Sequence, residues 1–131
     1  MNMHLDSKAL KKKANKIRSE VIEVAISNKA GHIAPSLSCV EILVALYYNI
    51  ISYKPEDPLW EERDRLVFSK GHGCYALYAI LVDKGVLPKE EWRHFYTDKS
   101  SLLGCMERRP KYGLESSCGS LGHGLPIAAG I

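Results

Sequence analysis

The stretch "RLVFSKGHGCYALYAILVDKG", residues 65–85, constrains the fold more than any other part of the chain. Its first five residues, 65–69, are rich in strand formers and too few for a helix, so they predict a short buried strand. Gly71 and Gly73 then allow a sharp turn, and the residues from Cys74 onward read as an apolar helix stopped by Gly85. Strand, glycine turn and helix in succession is an α/β arrangement. It leaves His72 at a helix start, where unpaired backbone N–H groups and the helix dipole favour an anion.

The remaining pattern is mostly helical. Leu10, Ala14, Ile17, Val21 and Val24 form one apolar stripe, which predicts an amphipathic helix from Asp6 to about Asn28 with Asp6 or Ser7 as its cap. Gly31 and Pro35 break the pattern, and Ser38 with Glu41 then gives a capping-box signature for a helix to about Ile51. That helix is apolar nearly all round, which predicts burial. Residues 54–64 read as a loop, Pro88 opens a short helix to about Tyr96, and residues 97–118 have no period. An irregular stretch of that length inside one domain points to a functional loop.

Composition excludes several classes. A chain of 131 residues with 46% hydrophobic and 25% charged residues can bury a real core and is not a disordered tail. A net charge of +3 gives no basis for nucleic-acid binding, and Lys11, Lys12 and Lys13, followed by Glu20 and Glu23, read as a solvated helical face. No apolar run reaches the ~18 residues of a membrane helix, and no signal-peptide pattern opens the chain, so a cytoplasmic protein without a membrane partner is expected. Cys39, Cys74, Cys105 and Cys118 show no zinc-ligand spacing and read as free thiols, the first two inside apolar helices and the last two in loops.

A glycine precedes a histidine three times, at Gly31-His32, Gly71-His72 and Gly122-His123, each at a loop end or helix start. Backbone amides are free there, so the three elements suggest one shared ligand site. Two of the histidines also have a plain alternative. His72 can donate to a phosphate oxygen or to a loop carbonyl, and His32 can move a proton or fill a tight turn. The closing "GSLGHGLPIAAGI" matches neither a dinucleotide-binding GxGxxG nor a P-loop.

Taken in order, "KAGHIAPSLSCVEILVALYY", "DRLVFSKGHGCYALYAIL" and "GLESSCGSLGHGLPIAAGI" resemble the N-terminal, diphosphate-binding domain of transketolase, and most closely the split kind whose two domains are separate polypeptides. The resemblance implies an α/β thiamine-diphosphate-binding fold, of which residues 1–131 would be the first half only, helix-rich with few parallel strands. It implies transfer of a two-carbon ketol unit between sugar phosphates in carbohydrate metabolism, with thiamine diphosphate and magnesium as cofactors. It also implies homo- or hetero-oligomers, in which the partner is the pyrimidine-binding (C-terminal) subunit.

By the same resemblance His32 is the catalytic histidine that contacts substrate hydroxyls and assists proton transfer. His72 hydrogen-bonds the cofactor, and Gly119, Ser120 and Leu121 lie along it. Two positions depart from the family pattern. Cys105, in "GCME", stands where a substrate-binding histidine is common, and His123 stands where glutamine is commoner, so Cys105 and His123 are expected on the substrate side. A thiol cannot supply the cationic donor that an imidazolium can. The family's metal-binding GDG segment would follow Ile131, so the expectation is a truncated subunit, inactive alone, with no metal ligands of its own. The alternatives are a non-catalytic relic that binds or regulates a partner protein, and another thiamine-dependent transferase such as deoxyxylulose phosphate synthase.

Overall fold

The computed structural model describes residues 4–29 and 31–131. Helix α1, Ser7–Asn28, starts where the Asp6 carboxylate accepts from the Ala9 N–H at 2.7 Å and ends at Lys29, which adopts a left-handed conformation. Its buried residues Ala14, Ile17, Val21 and Ala25 follow the expected helical spacing. Lys11 and Lys12 are exposed as expected. Lys13 is not simply solvated, because it bonds the Asp83 carboxylate at 2.7 Å.

The expected break holds a short helix of its own, ahead of the expected second helix. Residues Ile33–Leu37 form α2, Val40–Ala45 form α3, and Leu46–Ile50 continue α3 as a wider π turn. The expected capping box is not made. Cys39 is the cap position, the Ser38 hydroxyl donates to the Pro35 carbonyl, and Glu41 pairs with Arg18 instead of folding back. Nor is the segment buried all round, since Ile42 and Ile50 lie on the surface.

A short 3-10 turn, Gly71–Gly73, leads into α4, Cys74–Asp83, and α4 is the centre of the molecule. It contacts α1, α2 and α3, and also α5, Lys89–Arg93, which is shorter than expected and has Pro88 as its cap. Trp92 stacks on Phe95 beneath it, so the aromatics serve packing. Gly85 ends α4 at φ +79, as a glycine stop should. The last helix, α6, spans Gly124–Gly130.

Residues 65–69, expected as a strand, form no regular element and carry no ladder. Among the described residues β pairing is limited to isolated bridges, Lys54 with Asp57 and Arg109 with Leu114. Leu66, Val67 and Phe68 pack on the core while remaining half-buried rather than buried. A strand is completed only by a neighbour that takes up its N–H and C=O groups, and no described segment lies alongside to do so. The chain is accordingly helix-rich.

Residues 97–118 are irregular apart from a 3-10 turn at Pro110–Tyr112, yet they are firmly held. The Glu91 carboxylate accepts from the Ser101 N–H at 2.8 Å, and Arg63 holds Glu115 through two hydrogen bonds of 2.7 and 3.1 Å. Cys118, expected as a loop thiol, is buried with its Sγ 3.2 Å from the Ser116 hydroxyl.

Candidate functional site

The three Gly-His elements meet at one seam. His32 and His72 approach edge to face with ring centroids 4.9 Å apart. The backbone of His32 is pinned on both sides: its N–H donates to the Tyr75 hydroxyl at 3.2 Å, and its carbonyl accepts from the Ser36 hydroxyl at 3.0 Å. Tyr75 is fully buried in α4, and burial pushes its phenol above the usual range. The imidazole of His32 is therefore carried on a rigid frame.

Close backbone approach brings in the third element. Gly71 lies so near the Cys118 carbonyl that a Cβ would fall on that oxygen, which requires glycine there. Gly124 sits against Ser69, whose hydroxyl accepts the Gly124 N–H at 3.0 Å. Gly73 packs on Phe68 and on the Pro35 carbonyl, joining α2 to the same place. Residues 31–36, 68–73 and 118–124 are thus parts of one local structure.

Around that junction the chain is open and rich in donors. Gly119 and Gly122 face free space, and Gly119 to His123 are exposed. Among the described residues, the N–H groups of Gly119, Ser120, Leu121 and Gly122 have no protein acceptor, while that of His123 bonds the Ser120 carbonyl at 3.3 Å. Ring contacts of His32 are with His72 and Tyr75, not with His123, which lies exposed at the cap of α6. Cys105 is half-buried behind the start of α4. There the Cys74 thiol donates to the Gly104 carbonyl at 3.3 Å, the Tyr78 hydroxyl donates to the Leu103 carbonyl at 3.0 Å, and burial pushes the Cys74 thiol up to about 12.

Sequence reasoning missed the residues that hold this arrangement: Ser36, Ser69, Lys70 and Tyr75. Tyr75 reads as core in an apolar helix, and only its position three residues after His72 marks it as a neighbour of the site. The serines and Lys70 carry no pattern of their own.

The family profile described as transketolase, thiamine diphosphate binding domain, matches residues 9–131. The chain belongs to the transketolase family. Among transketolase relatives, it is 40% identical over 122 residues to the 6-deoxy-6-sulfo-D-fructose transketolase subunit of Clostridium sp. (strain MSTE9), covering 93% of this chain and 44% of that one. It is 39% identical over 124 residues to an apulose-4-phosphate transketolase subunit of Actinobacillus succinogenes, with coverage of 93% and 45%. Transketolase from Leishmania mexicana matches the structure with a TM-score of 0.83 at 31% identity, over 97% of this chain and 19% of that one. The chain spans less than half the length of these transketolase relatives. Among the described residues no helix is long and apolar enough to cross a membrane, and no three His, Cys, Asp or Glu side chains converge.

Proposed function

We propose that the chain is the thiamine diphosphate-binding part of a split, cytoplasmic transketolase, which transfers a two-carbon ketol unit between sugar phosphates once a pyrimidine-binding subunit completes the site. The observation that carries this reading is the approach of His32 and His72 at a seam built from three Gly-His elements. The donor set suits the cofactor. A diphosphate takes hydrogen-bond donors and rejects acceptors, and the seam offers imidazoles, free amides and space above Gly119 and Gly122.

When bound, thiamine diphosphate supplies the carbanion chemistry of ketol transfer. The chain's own residues position it. His72, carried on the turn before α4, donates to the diphosphate, and the backbone of Gly119, Ser120 and Leu121 lies along the cofactor. His32, its backbone fixed by Tyr75 and Ser36, contacts substrate hydroxyls and moves a proton at its imidazole. Cys105, half-buried beside the start of α4, and the exposed His123 are the residues expected to bear on which sugar fits. Magnesium accompanies the diphosphate, and its protein ligands belong to the part of the longer relatives that this chain does not span.

Mixing the purified chain with a pyrimidine-binding subunit, thiamine diphosphate and magnesium, and following ketol transfer, tests the reading. Cofactor uptake is expected in the mixture and ketol transfer once the part of the longer relatives that this chain does not span is also present; there His32→Ala is expected to lower transfer by about 10²- to 10⁴-fold, the usual contribution of a positioned acid or base. A chain that binds the partner subunit but neither takes up cofactor nor supports transfer would instead be a non-catalytic relic.

A further inference from the structure

Six cationic side chains are half-buried among the described residues: Lys13, Arg18, Arg63, Lys70, Lys84 and Arg109. Five of them have a visible counter-group. Lys13 holds Asp83, Arg18 holds Glu41, Arg63 holds Glu115 and Arg109 holds Glu107. Lys84 lies over the rings of Tyr48 and Tyr53 at 4.7 and 5.4 Å. Lys70 differs: its ammonium donates to the Ser38 hydroxyl at 2.6 Å and, among the described residues, meets neither a carboxylate nor an aromatic face. The Ser38 contact is exposed, so a neutral hydroxyl holds the ammonium in place while leaving it open to an anion from solvent.

The surroundings agree. Lys70 is the cap of the 3-10 turn that carries His72, and Gly71, the next residue, packs on Cys118 beside the free amides of residues 119–122. Segments 31–39, 68–73 and 118–124 contain no Asp or Glu, so the seam offers donors and carries no negative charge to repel an anion. Lys70 also acts at short range on this place, since its charge opposes the burial that pushes the Cys39 thiol up.

We propose that Lys70 is the positive charge that meets the diphosphate group of thiamine diphosphate, with Ser38 as the residue that positions its ammonium. This rests on the reading that the chain binds that cofactor, and it adds to His72 a charged contact that the motifs do not indicate. The group fits the diphosphate rather than a sugar phosphate because it stands on the same turn as His72.

Titration of the chain with thiamine diphosphate, thiamine and inorganic pyrophosphate, with magnesium present and at two ionic strengths, tests the assignment. Lys70→Met is expected to weaken thiamine diphosphate and pyrophosphate by about 10- to 100-fold, the loss typical of a charge-assisted hydrogen bond, and to leave thiamine unchanged. It is also expected to flatten the salt dependence of binding, while Lys70→Arg keeps most of the affinity. Equal weakening of thiamine, or unchanged affinity for both anions, would overturn the proposal and leave the functional reading standing. A raised KM for the sugar phosphate with unchanged cofactor binding would assign Lys70 to the substrate and overturn it likewise. If the unmodified chain, both by itself and mixed with a pyrimidine-binding subunit, binds no thiamine diphosphate, the proposal and the functional reading fall together.

Discussion

Helix α4 buries nine of its ten residues, whereas residues 119–131 bury only Gly124 and leave Leu121, Leu125 and Ile131 largely exposed. The candidate site lies between them. His72 and Tyr75 belong to the stiff side, on and just before a helix that packs against α1, α2, α3 and α5. Gly119, Ser120 and Leu121 belong to the open side, anchored only at its root, where Cys118 meets Gly71 and Gly124 meets Ser69. The difference separates two tasks: a packed helix holds imidazoles in place, and an open glycine loop leaves amides free for a ligand.

The contrast can be broken first where it is strongest. Leu77→Ala, at a fully buried position of α4, is expected to destabilise the fold by about 3 kcal/mol in denaturant unfolding, because little around it can collapse into the cavity. Next, Gly71→Ala forces the Cys118 backbone away and is expected to cost about 2 kcal/mol, as overpacking does. Its mark should be a weakened grip on thiamine diphosphate as well as a lower Tm. A variant that unfolds earlier yet binds cofactor normally would show that the 118–124 loop is not held where the site needs it.

A smaller effect comes from the far end of α4. Asp83 accepts from Lys13 at 2.7 Å, from Lys16 at 2.5 Å and from the Tyr48 hydroxyl, tying α1 and the π turn to α4. Burial pushes its carboxyl up, but the three donors outweigh burial and bring it down to about 2. An unfolded Asp titrates at about 3.9, so this contribution is complete above about pH 5 and is lost as the pH falls towards about 2. Asp83→Asn is therefore expected to flatten the loss of stability between those values in a series of melts. Least of all, Leu125→Ala on the exposed face of α6 is expected to change stability by no more than about 0.5 kcal/mol.

Much of the stiff side was legible beforehand. The stripe of α1, the Asp6 cap and the glycine stop of α4 depend on local chemistry that periodicity and capping report directly. The short helix α2 and the unmade capping box were not: Ser38 turns to Pro35 three residues back and to Lys70, and Glu41 turns to Arg18, the last two being partners that only tertiary structure supplies. The strand at 65–69 illustrates the same limit: its residues favour an extended chain, but pairing depends on a neighbour elsewhere. At the site, the glycines and histidines stood out in the sequence, while the groups that orient them, Ser36, Ser69 and Tyr75, are ordinary residues made important by distance alone.

The central claim is that three separated Gly-His elements form one cofactor site. Backbone and imidazole NMR of the labelled chain during titration with thiamine diphosphate and magnesium tests it most directly. Signals of His32, of Gly71 to Gly73 and of Gly119 to Gly122 are expected to shift together and to report a single Kd. Shifts confined to one element, or different Kd values for the three, would contradict it.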